Sequence, residues 1–296
     1  MTVSRRNLLR GAAAAAACGG SAIVVGTVTG VISPRQLLRD IDGSCGPTGP
    51  VPPSSQATIR TGQLQSAAVN GAPTWRIAWP PGSTPGDPLP LCVCLHRRGG
   101  TSETPFDEVR LHDFLALDVA SGSTRPFALA AIDGGDRYWH RRADGNDPLA
   151  LLTDEFIPFC RETHGLGADG LPVAVIGWSM GGFGAAVLAE GDPRISGVAM
   201  VSPALSAERS GYADDAFDGA ADFADVDPFS RASELAGRAL RIAIGRGDPF
   251  VTGATDFAGR VPDSQLDIDD GCHDADFWRR SAPADLRFIA GALGLR

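Results

Sequence analysis

The sequence contains no lysine, because all 26 of its basic residues are arginine. This absence excludes chemistry that needs a lysine amine, such as a Schiff base, a Ser-Lys dyad or the phosphate-binding lysine of a P-loop. Histidine is also scarce, with five residues in a chain of 296. The choice of a general base is therefore narrow.

Basic residues are also fewer than acidic ones, 26 against 35, so the formal net charge is −9. An acidic surface repels phosphate backbones, so no nucleic-acid partner is expected. None of the six cysteines forms a Cys-x-x-Cys pair, so nothing supports a structural zinc site and no metal is expected. Cys92 and Cys94 are expected to be buried thiols on one face of a strand.

Residues 1–40 have the features of an export signal or membrane anchor. The segment Ser-Arg-Arg-Asn-Leu-Leu-Arg, residues 4–10, resembles the twin-arginine signal. Residues 11–33 carry no charge and are long enough to cross a bilayer. We therefore expect the twin-arginine export machinery as a partner and an extracellular or cell-envelope location. If the signal stays uncleaved, residues 11–33 would tether the protein to a membrane; Cys18 is a poor match to a lipoprotein cleavage site.

The remaining chain predicts one alternating domain. Residues 41–55 are rich in proline, glycine and serine and are expected to form a linker. Within residues 56–296, apolar runs alternate with helical stretches, which predicts an α/β fold with a mostly parallel central sheet and helices on both faces. Residues 206–239 are acidic and weakly periodic, and are expected to form a small insertion. The predicted strands are 57–64, 74–80, 89–96, 126–133, 172–178, 196–203, 240–246 and 264–270, and the clearest predicted helices are 147–165, 180–190 and 282–295.

A serine stands between glycines in the segment Gly-Trp-Ser-Met-Gly, residues 177–181, after a predicted strand and before a predicted helix. A nucleophile on so sharp a turn adopts a strained backbone, and the residues two before and two after it crowd its Cβ. Gly177 and Gly181 remove that crowding. The helix N-terminus would direct free N–H groups at the serine, where a negative oxygen is stabilised. Ser179 is therefore the predicted nucleophile.

A catalytic serine needs a base. For a nucleophile on this kind of turn, an acid and then a histidine follow the serine along the chain. His273 is the only histidine after Ser179, so it is the predicted base. Asp248 directly follows an apolar predicted strand, where its carboxylate can accept a hydrogen bond from the histidine Nδ1–H. Asp256 and the acids of residues 206–239 are alternatives, and an Asp-Pro turn would explain Asp248 without catalysis.

An oxyanion hole requires two backbone donors. One predicted donor is the N–H of Met180, directly after the nucleophile, and the other is expected in the loop after the predicted strand 89–96. Arg98 is favoured there by position, with Arg97 as the alternative. His96 is expected to fix this loop, and the two arginine side chains would either attract an anionic substrate or lie in solvent.

Four segments together resemble the putative-esterase branch of the α/β-hydrolases, which includes esterase-D-like enzymes and secreted mycolyltransferase-like acyltransferases. These segments are residues 133–158, 177–182, 245–250 and 271–278, and the resemblance covers roughly residues 56–296. The departure is the loop after the strand 89–96, where His-Arg-Arg-Gly-Gly replaces a commoner His-Gly or Asp-Gly start.

The resemblance implies an α/β-hydrolase fold and a triad of Ser179, Asp248 and His273 that needs no metal or organic cofactor. It also implies a substrate cleft bordered by Asp133, Tyr138 and Trp139.

An exported serine esterase acting on a small-molecule ester or a lipid is the leading hypothesis. An acyltransferase would use the same triad, with a sugar or lipid hydroxyl in place of water. A non-catalytic cell-envelope protein on a hydrolase fold is the third hypothesis, which the presence of all three triad residues disfavours.

Overall fold

The computed structural model describes residues 45–168 and 170–296, and residues from Gly46 onward group into one compact unit. All eight predicted strands are present and form one sheet in the order β1-β2-β4-β3-β5-β6-β7-β8. The strand β2 is antiparallel to β1 and β4, and the other neighbouring strands are parallel. Their bounds are β1 Thr58–Gln63, β2 Thr74–Trp79, β3 Leu91–Leu95, β4 Ala128–Ile132, β5 Val173–Trp178, β6 Ile195–Val201, β7 Ala239–Gly245 and β8 Gln265–Asp269.

The central strands are apolar along their whole length because both faces of the sheet are covered. Every residue of β3, β4 and β5 is buried. The core on one face includes Val93 and Val175, and the core on the other includes Cys92 and Ile176. By contrast, the edge strand β8 alternates exposed and half-buried residues. This is the pattern expected of a mostly parallel sheet packed between helices.

The helices lie on both faces of the sheet, with α1 and α8 on one face and α3, α4 and α7 on the other. Their bounds are α1 Leu111–Ala120, α2 Pro148–Ala150, α3 Ile157–His164, α4 Met180–Gly191, α5 Ala220–Val226, α6 Pro228–Arg231, α7 Val251–Ala258 and α8 Ala275–Ala292. Two π-helical stretches, Thr104–Glu108 and Leu151–Phe156, and two 3₁₀ turns, Arg209–Gly211 and Ala232–Leu235, complete the helical structure of the described residues.

The last helix begins earlier than predicted. The sequence predicts this helix over residues 282–295. In the structure Pro283 lies inside α8, which begins at Ala275. The cap is Asp274, whose carboxylate accepts a hydrogen bond from Phe277 N–H at 2.9 Å.

The segment predicted as an insertion, residues 206–239, contains α5, α6 and both 3₁₀ turns. Its Tyr212 and Phe217 are buried in the same core as Phe183 of α4. The ring centroids of Phe183 lie 5.7 Å from Tyr212 and 5.9 Å from Phe217, in edge-to-face arrangements. The segment therefore contributes aromatic side chains to the core of the domain.

The expected linker is held to the domain over its described part. Gly49 N–H donates to the Asp276 carboxylate at 3.1 Å, and Ser55 N–H donates to the Asp113 carboxylate at 2.6 Å. Asp113 is itself buried. Composition alone predicts a loose segment, whereas these hydrogen bonds fix its backbone against α8 and α1.

The predicted export signal, the apolar stretch 11–33 and Cys18 lie outside the described residues. Among residues 45–168 and 170–296, the structure has no helix long and apolar enough to cross a membrane.

Cys92, Cys94 and Cys160 are buried free thiols, as expected for the first two, whereas Cys45 and Cys272 are disulfide-bonded.

Candidate active site

Ser179 forms the turn between β5 and α4 and has backbone angles φ 55° and ψ −116°. A side chain-bearing residue rarely adopts a positive φ, and such a conformation persists only where the surroundings impose it. Here Ser179 N–H donates to Val201 C=O at 3.0 Å, and Ser179 C=O accepts from the N–H groups of Gly182 and Ala204 at 2.9 Å each. The turn is therefore hydrogen-bonded to the strand β6 and the segment after it.

The two glycines that flank the turn are required by backbone contacts. A Cβ on Gly177 would lie 2.0 Å from the Gly181 carbonyl oxygen, and a Cβ on Gly181 would lie 2.0 Å from the Leu95 carbonyl oxygen. The predicted need for glycine is met, but its cause differs from the predicted crowding of the serine Cβ. Glycine is required because β5, α4 and the end of β3 approach one another at the backbone.

The structure brings Ser179, His273 and Asp248 together. His273 Nε2 lies 2.8 Å from Ser179 Oγ, and His273 Nδ1 lies 2.8 Å from Asp248 Oδ2. With the proton on Nδ1, the imidazole donates to the carboxylate and Nε2 is free to accept from the serine hydroxyl. The side chain of Asp248 is fully buried, and its second oxygen accepts Phe250 N–H at 2.9 Å.

The competing acids and histidines are placed elsewhere. Asp256 lies in α7 with an exposed side chain, and neither it nor a described acid of residues 206–239 makes a hydrogen bond to His273. Among the described histidines other than His273, none hydrogen-bonds Ser179. His112 lies beside Asp113, His140 bonds two backbone carbonyls, and His164 packs on aromatic rings.

Two aromatic residues that sequence reasoning missed flank the imidazole. The ring centroid of half-buried Phe250 is 5.4 Å from that of His273, and the buried ring of Trp278 is 5.9 Å away. Trp278 was within a motif that the resemblance used, but nothing in the sequence indicated that its ring lies against the histidine. Both rings restrict the orientation of His273, which follows the disulfide-bonded Cys272.

The predicted oxyanion donors have free backbone N–H groups. Met180 is the first residue of α4, and its N–H has no hydrogen-bond partner among residues 45–168 and 170–296. The N–H groups of Arg98 and of the alternative Arg97 are likewise unpaired in this part of the chain. The N–H of Met180, at the helix N-terminus directly after Ser179, is available to a developing negative oxygen.

His96 has the loop-fixing role that was predicted. Its Nδ1–H donates to Arg97 C=O at 2.8 Å, and its Nε2 accepts from Gly134 N–H at 3.0 Å. Burial lowers the pKa of His96, which keeps the imidazole neutral and able to accept on Nε2. The ring thereby links the loop after β3 to the loop after β4.

The prediction for the substrate cleft needs correction. Trp139 is fully buried and Tyr138 is 4% exposed, so neither ring offers a face to a bound molecule. The Trp139 ring packs where Gly134 and Gly184 lack a side chain, since a Cβ on either would come within 2.6 Å of it. Asp133 is half-buried and accepts Ser102 N–H at 2.6 Å. Trp139 and Asp133 thus support the loops after β3 and β4, and the Tyr138 ring packs against Phe183.

Comparison with known proteins identifies the family. The family model for putative esterases matches residues 66–264, which is more than half of the chain. The chain belongs to the putative esterase family. It is a carboxylic ester hydrolase. No curated protein matches the sequence.

Solved structures similar to this esterase have the α/β-hydrolase fold. One is a ferulic acid esterase, 20% identical with a TM-score of 0.69, covering 81% of this chain and 100% of its own. Another is an S-formylglutathione hydrolase from Agrobacterium tumefaciens, 16% identical with a TM-score of 0.66, covering 82% and 98%. A third is the fluorophosphonate-binding serine hydrolase F of Staphylococcus aureus, 15% identical with a TM-score of 0.64, covering 79% and 98%. The sheet of this esterase is the α/β-hydrolase sheet.

We expect Gly181→Ala to disrupt the serine turn. The added Cβ meets the Leu95 carbonyl, so the variant should lose about 3 kcal/mol or more of unfolding free energy and nearly all ester turnover. Thermal unfolding and hydrolysis of a chromogenic ester measure the two effects. Gly191→Ala is the matched control in α4, because a Cβ there has no neighbour within 4 Å. Wild-type activity in Gly181→Ala would contradict the steric argument.

Proposed function

We propose that this esterase hydrolyses carboxylic esters through an acyl-enzyme on Ser179, with His273 as the base and Asp248 as the residue that orients it. The single observation that carries the proposal is the continuous chain of hydrogen bonds from Ser179 Oγ through the imidazole to Asp248, each 2.8 Å long. A buried carboxylate, an imidazole and a hydroxyl in this order activate serine on several unrelated folds.

The reaction begins when Ser179 Oγ attacks the ester carbonyl while His273 Nε2 takes the hydroxyl proton. The carbonyl oxygen becomes negative, and the N–H groups of Met180 and Arg98 stabilise it. The intermediate collapses, His273 returns the proton to the leaving alkoxide, and an alcohol departs. Water then attacks the acyl-enzyme with His273 again as base, which releases the carboxylic acid and restores the serine.

Asp248 serves this cycle by electrostatics and by orientation. As the imidazole gains a proton, the fully buried carboxylate faces a positive ring across a 2.8 Å hydrogen bond. Burial removes competing water, so this charge-assisted bond is stronger than its exposed counterpart. Because Phe250 N–H holds the second carboxylate oxygen, the side chain cannot rotate away from His273.

The nucleophile is tested by Ser179→Ala. Without Oγ no acyl-enzyme forms, so we expect turnover of a short-chain ester to fall by about 10⁴-fold or more while the fold is retained. A fluorophosphonate probe should label the wild-type chain at Ser179, as read by peptide mass spectrometry, and should not label the variant. A folded Ser179→Ala enzyme with near-normal turnover would refute the assignment.

Products formed with and without an added alcohol acceptor distinguish hydrolysis from acyl transfer.

The acid is tested by Asp248→Asn. The amide can donate to Nδ1 and favour the wrong tautomer, so we expect turnover to drop by about 10²- to 10⁴-fold. Asp256→Asn makes the same chemical change on the exposed face of α7 and should leave turnover unchanged. Steady-state kinetics on the same ester measure both. Equal turnover in the two variants would show that Asp248 is not the acid.

We also propose that the esterase is exported by the twin-arginine route. Support comes from the segment Ser-Arg-Arg-Asn-Leu-Leu-Arg at residues 4–10 and from the disulfide-bonded Cys272, since disulfides persist in oxidising compartments.

Changing both Arg5 and Arg6 to lysine should therefore block translocation, because this route recognises the arginine pair and not charge alone. Cell fractionation and immunoblotting measure the exported fraction. The same change at Arg35 and Arg39, outside the motif, is the matched control and should be exported normally. Normal export of the Arg5 and Arg6 variant would exclude this route.

A further inference from the structure

The loop after β3, residues 96–102, contains the proposed oxyanion donor, and hydrogen bonds hold the peptide that follows this donor. Arg98 C=O accepts from Arg97 Nη1 at 3.0 Å, and Gly99 N–H donates to Asp136 Oδ1 at 2.6 Å. The peptide unit between Arg98 and Gly99 is thus hydrogen-bonded on both sides. The N–H of Arg98 itself is left without a partner among residues 45–168 and 170–296.

Both groups that hold this peptide are anchored in turn. The Arg97 guanidinium donates from Nε to both carboxylate oxygens of Glu108, at 3.0 and 3.2 Å. Asp136 belongs to the loop after β4, which also bonds the same β3 loop through two further pairs of residues. These pairs are Gly134 with His96 at 3.0 Å and Asp133 with Ser102 at 2.6 Å.

We propose that Arg97 and Asp136 are positioning residues that clamp the Arg98–Gly99 peptide and thereby aim the Arg98 N–H at the oxyanion. This inference rests on the proposed function. It assigns a positioning role to Arg97, and it gives the loop after β4 a part in orienting the oxyanion donor.

The physical reason is preorganisation. An oxyanion donor accelerates the reaction only if it already points at the place where negative charge develops, about 2.7–3.1 Å from that oxygen. Two consecutive glycines, Gly99 and Gly100, follow Arg98, and Gly99 has φ 69°. A segment of this composition has many accessible conformations unless other groups restrict it. The clamp removes that freedom at the peptide next to the donor.

The contacts disfavour the role of Arg97 as a binding site for an anionic substrate. Its guanidinium is already engaged by the Glu108 carboxylate and by Arg98 C=O. The side chain of Arg98 is likewise paired, with Asp215 at 2.8 and 2.9 Å. If Arg97 recognised an anion, its removal would raise KM for an anionic ester and not for a neutral one. The clamp predicts a lower kcat for both.

The first test uses Asp136→Ala and Asp136→Asn with a neutral ester. Loss of the acceptor should lower kcat about tenfold, a part of the 10²- to 10³-fold effect of removing a whole oxyanion donor. KM should stay within about twofold, because the Arg98 N–H stabilises the oxyanion, which forms only in the transition state. Asn keeps an oxygen that accepts Gly99 N–H, so it should restore kcat to within about twofold of wild type.

A trifluoromethyl ketone matching the acyl group reports the oxyanion hole directly, since its adduct carries the negative oxygen. Its inhibition constant should rise in Asp136→Ala by the factor by which kcat/KM falls. The matched control is Asp144→Ala, an exposed acid further along the same loop that pairs with Arg137. It removes the same charge and should leave kcat and the inhibition constant unchanged.

The second test combines the two halves of the clamp. Arg97→Ala should also lower kcat about tenfold, and the double variant should lose less than the product of the single losses, because both residues hold one peptide. Arg141→Ala, whose exposed side chain makes no hydrogen bond in the described residues, is the control.

Unchanged kcat in Asp136→Ala or Arg97→Ala overturns the clamp, and so does a loss that Asn fails to restore or that appears only in KM. A wild-type enzyme that hydrolyses no ester, or a Ser179→Ala variant that remains active, would instead refute the proposed function.

Discussion

The strained backbone of Ser179 is the constraint on which the site depends. A residue at φ 55° and ψ −116° carries a cost of order 1–3 kcal/mol, which the surrounding structure must offset. Hydrogen bonds to Val201 and Ala204 hold the turn, and every residue of α4 before its final glycine is buried. The same close packing demands glycine at 177 and 181. The position of the serine hydroxyl is therefore a property of the sheet and helix, and not of a flexible loop.

Parallel strands explain why the other groups meet there. Ser179 follows β5, Asp248 follows β7 and the loop with His273 follows β8, so all three leave the sheet at the same edge. The loop after β3, which carries Arg98, leaves at that edge as well. Residues separated by about a hundred positions in sequence thus become neighbours at one edge of the sheet.

The support beneath the site comes from buried polar and aromatic groups. His96 joins two loops through both ring nitrogens, and Trp139 fills the space left by Gly134 and Gly184. The motif that contains Tyr138 and Trp139 predicted that these residues border a cleft, whereas both rings are buried. An aromatic residue in a motif can line a cleft or underlie it, and only burial distinguishes the two.

The sequence by itself determined the strands and the glycine-flanked turn at Ser179, and it left His273 as the one candidate for the proposed base. Continuous apolar runs mark the buried strands, glycines on both sides of Ser179 mark the sharp turn, and His273 is the only histidine after it. These are local patterns or follow from chain order. Asp248 was favoured over Asp256, and the structure places Asp248 against His273. Tertiary structure alone decided the start of α8, the attachment of residues 46–55, the burial of Trp139 and the partners of Arg97. Each depends on groups far apart in the chain, whose contacts no local pattern encodes.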